Sequence, residues 1–323
     1  MTRIIALAAS IAALVYSAPA AVAQNYPNKP ISFIIGFAPG GPSDVMSRVI
    51  TRKMEDILKQ PFVIENRPGA GGSIAGASVA RAAPDGYTIL LATNGVMATN
   101  KHLYKNIGYD PEKDFEPISV IGTQPNVLYV HPSLEVRTLE EFIAYAKANP
   151  GKLNYGSGGN GTSSHLAGEL LKVEAKIEMT HVPFRGTGPV LQAVLANHIQ
   201  VGLNPPPPLL GHIESGAIRP IAVTSLKRTS ALPNVPTVAE LGFPGFEAVA
   251  WHSLVLPAGT PKEIVDTLYR ALMDTLNDPP TRKQLTELGI DLIGNTPEEF
   301  RAYIKAEIPK WGAIVRAAGV KIE

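Results

Sequence analysis

The chain predicts an α/β fold made of two successive units and a helical tail, on three observations. Near-unbroken apolar runs such as Ile31–Phe37 end in Gly/Pro turns and are followed by apolar residues at helical spacing. That is the pattern of parallel strands buried on both faces and joined by helices. The alternation starts once at Ile31 and again at Leu153, and 323 residues suit two domains better than one core.

In chain order, Arg3, the apolar stretch Ile4–Val15 and the small residues Ala21-Val22-Ala23 read as a signal peptide over residues 1–23. Its strongly apolar part is short for a bilayer span of about 20 residues, and Ser17 and Pro19 interrupt the residues after it. The mature chain is expected to begin near Gln24 and to be exported to the periplasm. Ile31–Phe37 is the first strand and Pro39-Gly40-Gly41-Pro42 breaks it. Ser43 or Asp44 can cap the helix carrying Val45, Met46, Val49 and Ile50. Phe62–Ile64 is a short strand, Arg67–Gly72 a loop, Ser73–Ala82 a small-residue helix and Thr88–Ala92 a buried strand. A β-α-β-α-β order predicts a parallel sheet with right-handed crossovers. Ligands sit beyond the carboxyl ends of such strands, where Phe37–Asp44 and Thr93-Asn94 fall.

Ile118–Val130 is a long apolar segment able to leave the first unit. The second unit reads as helix Leu139–Ala148, strand Leu153–Tyr155, loop Gly156–Ser164, helix Ser163–Val173, strand Thr180–Pro183, helix Pro189–Asn197 and strands Gln200–Leu203 and Ile221–Thr224. Trp251–Leu256 is apolar again. Helices follow at Lys262–Leu276, Arg282–Leu288 and Pro297–Ala318, the last expected to break or kink at Pro309. The tail needs a sheet to cover, and the first one is the natural choice. The domains are therefore expected over 24–122 plus 250–323 and over 123–249, with hinge crossovers near Gly122 and Ala250.

Composition narrows the chemistry. The near-zero net charge, 29 basic against 28 acidic residues, argues against a polyanion-binding surface, so nucleic acid is not expected as a partner. No cysteine is present, and the seven His residues show no metal-ligand spacing, so neither metal nor cofactor is expected. No GxSxG elbow surrounds Ser157, Ser163 or Ser164; a Ser-type hydrolase stays open only because a triad is recognised by geometry.

Seven segments, in this order and spacing, resemble one family: YPNKPISFIIGFAPGGPSDVMSR (26–48), VIENRPGAGGSIA (63–75), APDGYTILLAT (83–93), NPGKLNYGSGGNGTSSHLAGELL (149–171), HVPFRGTGP (181–189), ALPNVPTVAELGFPGF (231–246) and WHSLVLPAGTP (251–261). The chain is similar, over essentially all of its mature length, to the periplasmic solute-binding proteins of tripartite tricarboxylate transporters, the Bug family of extracytoplasmic receptors. The resemblance implies a two-domain periplasmic binding protein, a type II-like flytrap closing over a small carboxylate and serving membrane permease subunits. A membrane sensor kinase is the alternative recipient, and an enzyme is not expected. A flytrap needs no second subunit, so a monomer is expected.

By position, the resemblance places one carboxylate between Phe37–Asp44 and Ser157–His165. In the first loop the candidates are Phe37, Ala38, Gly40, Gly41, Ser43 and Asp44; in the second, Ser157, Gly158, Gly161, Thr162, Ser163 and His165. The chemistry agrees, because glycines let the backbone approach a ligand and each loop opens a helix whose positive end suits an anion. Each such terminus supplies up to about 2 kcal/mol, and each charge-assisted hydrogen bond about 1.5–3 kcal/mol. A micromolar complex needs about 8 kcal/mol. Asn94 at a strand end is a candidate hydrogen-bonding side chain. Arg185 reads either as the partner of a second carboxylate or as a solvated loop arginine, and His165 as a polar packing residue or a titrating one. Two positions depart from the family pattern. Asn204, ahead of Pro205–Pro208, stands where many members carry an acid, which disfavours an amino-acid ligand. Phe184 stands where Tyr is common, which favours an aliphatic or aromatic acid.

Overall fold

The computed structural model describes residues 26–320. The expected signal peptide, 1–23, lies outside them. Among the described residues the strands are β1 (Ile31–Ile35), β2 (Phe62–Asn66), β3 (Thr88–Thr93), β4 (Phe115–Gln124), β5 (Val127–Val130), β6 (Leu153–Ser157), β7 (Met179–Pro183), β8 (Val201–Asn204), β9 (Arg219–Val223), β10 (Ala250–Pro257) and β11 (Asp291–Leu292). The helices are α1 (Pro42–Leu58), α2 (Ser73–Ala80), α3 (Asn100–Leu103), α4 (Leu139–Ala148), α5 (Ser163–Ala175), α6 (Thr187–Leu195), α7 (Leu210–Glu214), α8 (Lys262–Asn277), α9 (Pro279–Glu287) and α10 (Pro297–Ala317).

The strands form two mixed sheets, in the orders β11-β4-β10-β3-β1-β2 and β7-β6-β8-β5-β9. The all-parallel expectation holds for β3, β1 and β2 but not beyond them. β10 lies between β3 and β4 and runs antiparallel to both. It enters from the other lobe, so its direction is set by the return path and not by a helical crossover. In the second sheet β6 is parallel to β7 and β8, while β5 is antiparallel to β8 and β9. The expected single exit segment is two strands, β4 and β5, split at Pro125-Asn126 where the chain changes sheets. It returns over residues 224–249.

In the first lobe one face of the sheet presents Ile31, Phe33, Leu91 and Leu254 to α1 and α8; they form one buried apolar cluster with Met46, Ile50, Leu268 and Leu272. The opposite face packs beneath α2 and α10. There the core is continuous with that of the second lobe, since Trp251, Phe300 and Trp311 cluster with Leu128, Tyr155 and Leu166. α10 touches β4, the turn after β3, and α5 of the other lobe. It runs as one helix through Pro309, so the expected break does not occur. A mid-helix proline costs about 3 kcal/mol, and burial of Ile304, Ile308, Trp311 and Val315 outweighs that. The buried Glu307 carboxylate accepts from Trp251 Nε1 at 3.1 Å and Trp311 Nε1 at 2.7 Å through one oxygen, and from Lys310 Nζ at 2.9 Å through the other. Lys310 also reaches Glu247, in the return crossover, at 2.7 Å.

Two close approaches fix loops near the carboxyl ends of the strands. A Cβ on Gly36 would lie 2.6 Å from Gly72 Cα, so the loops after β1 and β2 touch only because position 36 is glycine. A Cβ on Gly289, whose φ is +73°, would lie 2.8 Å from Pro207 of the other lobe.

Candidate ligand site at the carboxyl ends of both sheets

The sequence-predicted residues gather in two sets. In the first lobe, α1 begins at Pro42, with Gly41 as its N-cap and no side-chain cap. Ser43 and Asp44 therefore do not cap it, contrary to expectation. Proline at the first helical position has no N–H to satisfy, which leaves the Ser43 and Asp44 amides as the open donors of the first turn. The Asp44 carboxylate is buried and engaged. It accepts from Gly40 N at 3.0 Å, Arg48 Nε at 3.0 Å and Asn66 Nδ2 at 3.2 Å. The Arg48 hydrogen bond, with those of Gly40 and Asn66, holds its pKa below the ordinary carboxylate value. Asn66 also donates to Phe37 O at 2.9 Å, fixing the strand end. Phe37 is half-buried, Ala38 and Gly40 are exposed and Gly41 is partly exposed. Asn94 is buried at the end of β3, and its side chain has no hydrogen-bond partner among the described residues.

In the second lobe the loop after β6 is wired to itself. Gly158 N donates to Ser164 Oγ at 3.1 Å, Gly159 N to Ser157 Oγ at 3.2 Å, and Gly161 N to His165 Nδ1 at 3.0 Å. The amides of Gly158 and Gly161, expected as an open cradle, are thus occupied. Thr162 is the N-cap of α5, accepting from His165 N. The Ser163 and Ser164 amides remain as the open donors of that helix end. Ser157 is fully buried, with Oγ 2.6 Å from His181 Nε2. His181 and His165 stack with ring centroids 3.9 Å apart. Burial first, then Lys172, lowers the His165 pKa to about 4; burial first, then the His165 ring, lowers His181 to about 4. Both rings are neutral at neutral pH. Beneath them Glu169 binds Lys172 at 2.7 Å and accepts from Tyr155 OH at 2.6 Å.

Arg185 is exposed and has no ion-pair partner among the described residues. Asn204 is fully buried. Its amide donates to Thr187 O at 2.8 Å, while its Oδ1 has no partner among the described residues. The set contains no uncommitted carboxylate, since Asp44 is held by Arg48 and Glu169 by Lys172.

Sequence reasoning missed three contributors. Asn66 and His181 hold the two loops from neighbouring strands. Asn126, between β4 and β5, donates to Ser163 Oγ at 3.2 Å. Only the break of the apolar run at Pro125-Asn126 marks that position.

Two α/β lobes, joined by two crossovers and each ending in a loop that opens a helix, define a solute-binding protein. The chain belongs to the tripartite tricarboxylate transporter family of receptors, whose pattern matches residues 46–320. It is 35% identical over 324 residues to Protein BugT of Bordetella pertussis, covering 100% of this chain and 99% of that protein. The structure of R. palustris Rpa4515 with adipate superposes with a TM-score of 0.81 at 36% identity, covering 92% of this chain and 99% of that one. MatC from Rhodopseudomonas palustris with bound malate superposes with a TM-score of 0.77 at 33% identity, covering 90% and 100%. This chain is accordingly a solute-binding receptor of that family, not an enzyme.

Proposed function

We propose that the protein works in the periplasm, captures a small non-amino mono- or dicarboxylate between its lobes, and delivers it as a monomer to the membrane subunits of a tripartite tricarboxylate transporter. The lobes are residues 24–122 with 250–323, and 123–249. One observation carries the reading: each lobe offers a helix end with two amides that have no internal acceptor, Ser43 and Asp44 on α1 and Ser163 and Ser164 on α5. One carboxylate bridging these ends interacts with both lobes only when they are closed, and that differential affinity shifts the population. Ala38, Gly40 and Gly41 form the near wall, Phe37 and Asn94 the floor, and Arg185 meets a second carboxylate. With Asp44 and Glu169 both neutralised and Asn204 uncharged, nothing in the set receives an ammonium group, which favours non-amino acids. The adipate and malate of the related structures fit that class.

The test is a thermal-shift screen of residues 24–323 against adipate, malate, succinate, citrate, benzoate, glutamate and aspartate. A ligand at about 100 times its Kd adds about 2.7 kcal/mol and raises the midpoint. A hit among the non-amino acids supports the reading. Preference for glutamate or aspartate over every other acid refutes the ligand class, and folded, ligand-free protein with no hit refutes the site.

A further inference from the structure

Both chain crossovers between the lobes are tied together at one point, and that point touches the candidate site. Asn126, in the first crossover, is buried with 1% of its surface exposed. Its backbone N donates to Thr224 Oγ1 at 3.0 Å, and its carbonyl accepts from Thr224 N at 3.0 Å. Thr224, at the start of the second crossover, donates through Oγ1 to Ala248 O at 2.8 Å, and its carbonyl accepts from Ala248 N at 3.0 Å. The Asn126 side-chain amide then reaches Ser163 Oγ at 3.2 Å, with Ala248 O at 3.5 Å as its second acceptor. Two acceptors on the amide nitrogen fix which way this amide points.

That direction decides what the Ser163 hydroxyl can do. Its oxygen already accepts a hydrogen bond from Asn126, so its own O–H is left to donate. Ser163 is the first residue of α5, is only partly buried, and stands beside the two open amides of that helix end. A donating hydroxyl there suits an anion.

We propose that Asn126 is a positioning residue: it presents the Ser163 hydroxyl as a donor to the bound carboxylate and ties that hydroxyl to both crossovers. Ligand occupancy and the setting of the hinge are then read by one amide. The proposal rests on the carboxylate site of the preceding subsection and goes beyond it, because Asn126 lies outside both loops assigned to the ligand and acts through Ser163.

The experiment is a set of affinities for malate and adipate by calorimetry on residues 24–323, with folding of every variant checked by circular dichroism. Asn126→Asp reverses the polarity: the carboxylate takes the Ser163 proton as its hydrogen bond, and the hydroxyl turns lone pairs to the ligand. A loss of roughly 10- to 100-fold is expected, the equivalent of one charge-assisted hydrogen bond. Asn126→Leu removes the amide without adding charge, and is expected to weaken binding by roughly 3- to 10-fold. In the Ser163→Ala background the effect of Asn126→Leu is expected to vanish, because the residue it acts through is gone. A merely structural role would weaken binding equally in both backgrounds, and that result overturns the proposal. So does an Asn126→Asp protein that binds as tightly as the unaltered chain, which also decides the matter if the Leu variant does not fold. If the unaltered protein binds no carboxylate, the underlying site reading fails and this proposal fails with it. If it binds and the Asn126 variants match it, only this proposal falls.

Discussion

Replacing Glu307 by leucine is expected to destabilise the protein by roughly 3–5 kcal/mol, a large part of the total stability of an ordinary domain. The magnitude comes from the contacts. The carboxylate is buried and is the acceptor of two indole N–H groups, those of Trp251 and Trp311, and of the Lys310 ammonium. Leucine leaves both indoles without that acceptor at about 1–3 kcal/mol each. Lys310 loses less, because Glu247 still holds it at 2.7 Å. Glu307→Gln keeps one acceptor oxygen and should fall between the two. The assay is urea unfolding followed by far-ultraviolet circular dichroism. Emission provides an independent check, because the chain has 2 tryptophans and both donate to this carboxylate. Both variants should shift the emission maximum, leucine more. A Glu307→Leu protein within about 1 kcal/mol of the unaltered chain would mean that the indoles find other acceptors, and the network would lose its role in joining the lobes.

Other perturbations are equally definite. His252 is buried on β10, its Nδ1 has no partner among the described residues, and burial lowers its pKa to about 4. The unfolded chain takes up this proton near pH 6.5 and the fold only near 4, so stability present above pH 6.5 is lost as pH falls to 4, by about 3 kcal/mol. His252→Met should remove that component from urea titrations at pH 7 and 4; an unchanged pH slope counts against it. Gly36→Ala places a methyl against the Gly72 backbone and should cost about 1–3 kcal/mol in thermal melts. Asp44→Ala frees Arg48, Asn66 and the Gly40 amide together, and should cost about 2–4 kcal/mol and loosen the first loop to hydrogen exchange. Thr296→Ala breaks the capping box with Glu299 that starts α10, and should cost about 1 kcal/mol in urea.

What the sequence revealed was local. Ile31–Phe37 declared a buried strand because nearly every residue is apolar, and the glycines after it declared a turn. The two-lobe arrangement could be read because the alternation restarts at Leu153. The antiparallel insertion of β10 could not be read, because pairing Val255 with Leu90 depends on a return path of more than a hundred residues that leaves no periodic mark. The start of the first helix was misplaced by a residue or two because proline, and not a hydroxyl, opens it at Pro42. Within the site, glycine content announced the loop at Ser157–His165 but not that its amides are spent on Ser157, Ser164 and His165. The role of Asn126 is set by contacts with Ser163, Thr224 and Ala248, none of them near it in sequence.

The position of β10 also bears on how the molecule assembles. It occupies the middle of the first sheet, between β3 and β4, yet it is synthesised after the whole second sheet. The second lobe, whose strands are contiguous in the chain, can close while the first sheet is still two separate pieces with unpaired edges. From the completion of β4 until Pro257 arrives, β3 and β4 each carry an exposed ladder open to wrong partners, including another copy of the same nascent chain. Folding of the first lobe is therefore non-local and slow relative to the second. Refolding from urea should show the second lobe's amides protected first, with the ladder between β10 and β3 among the last to form.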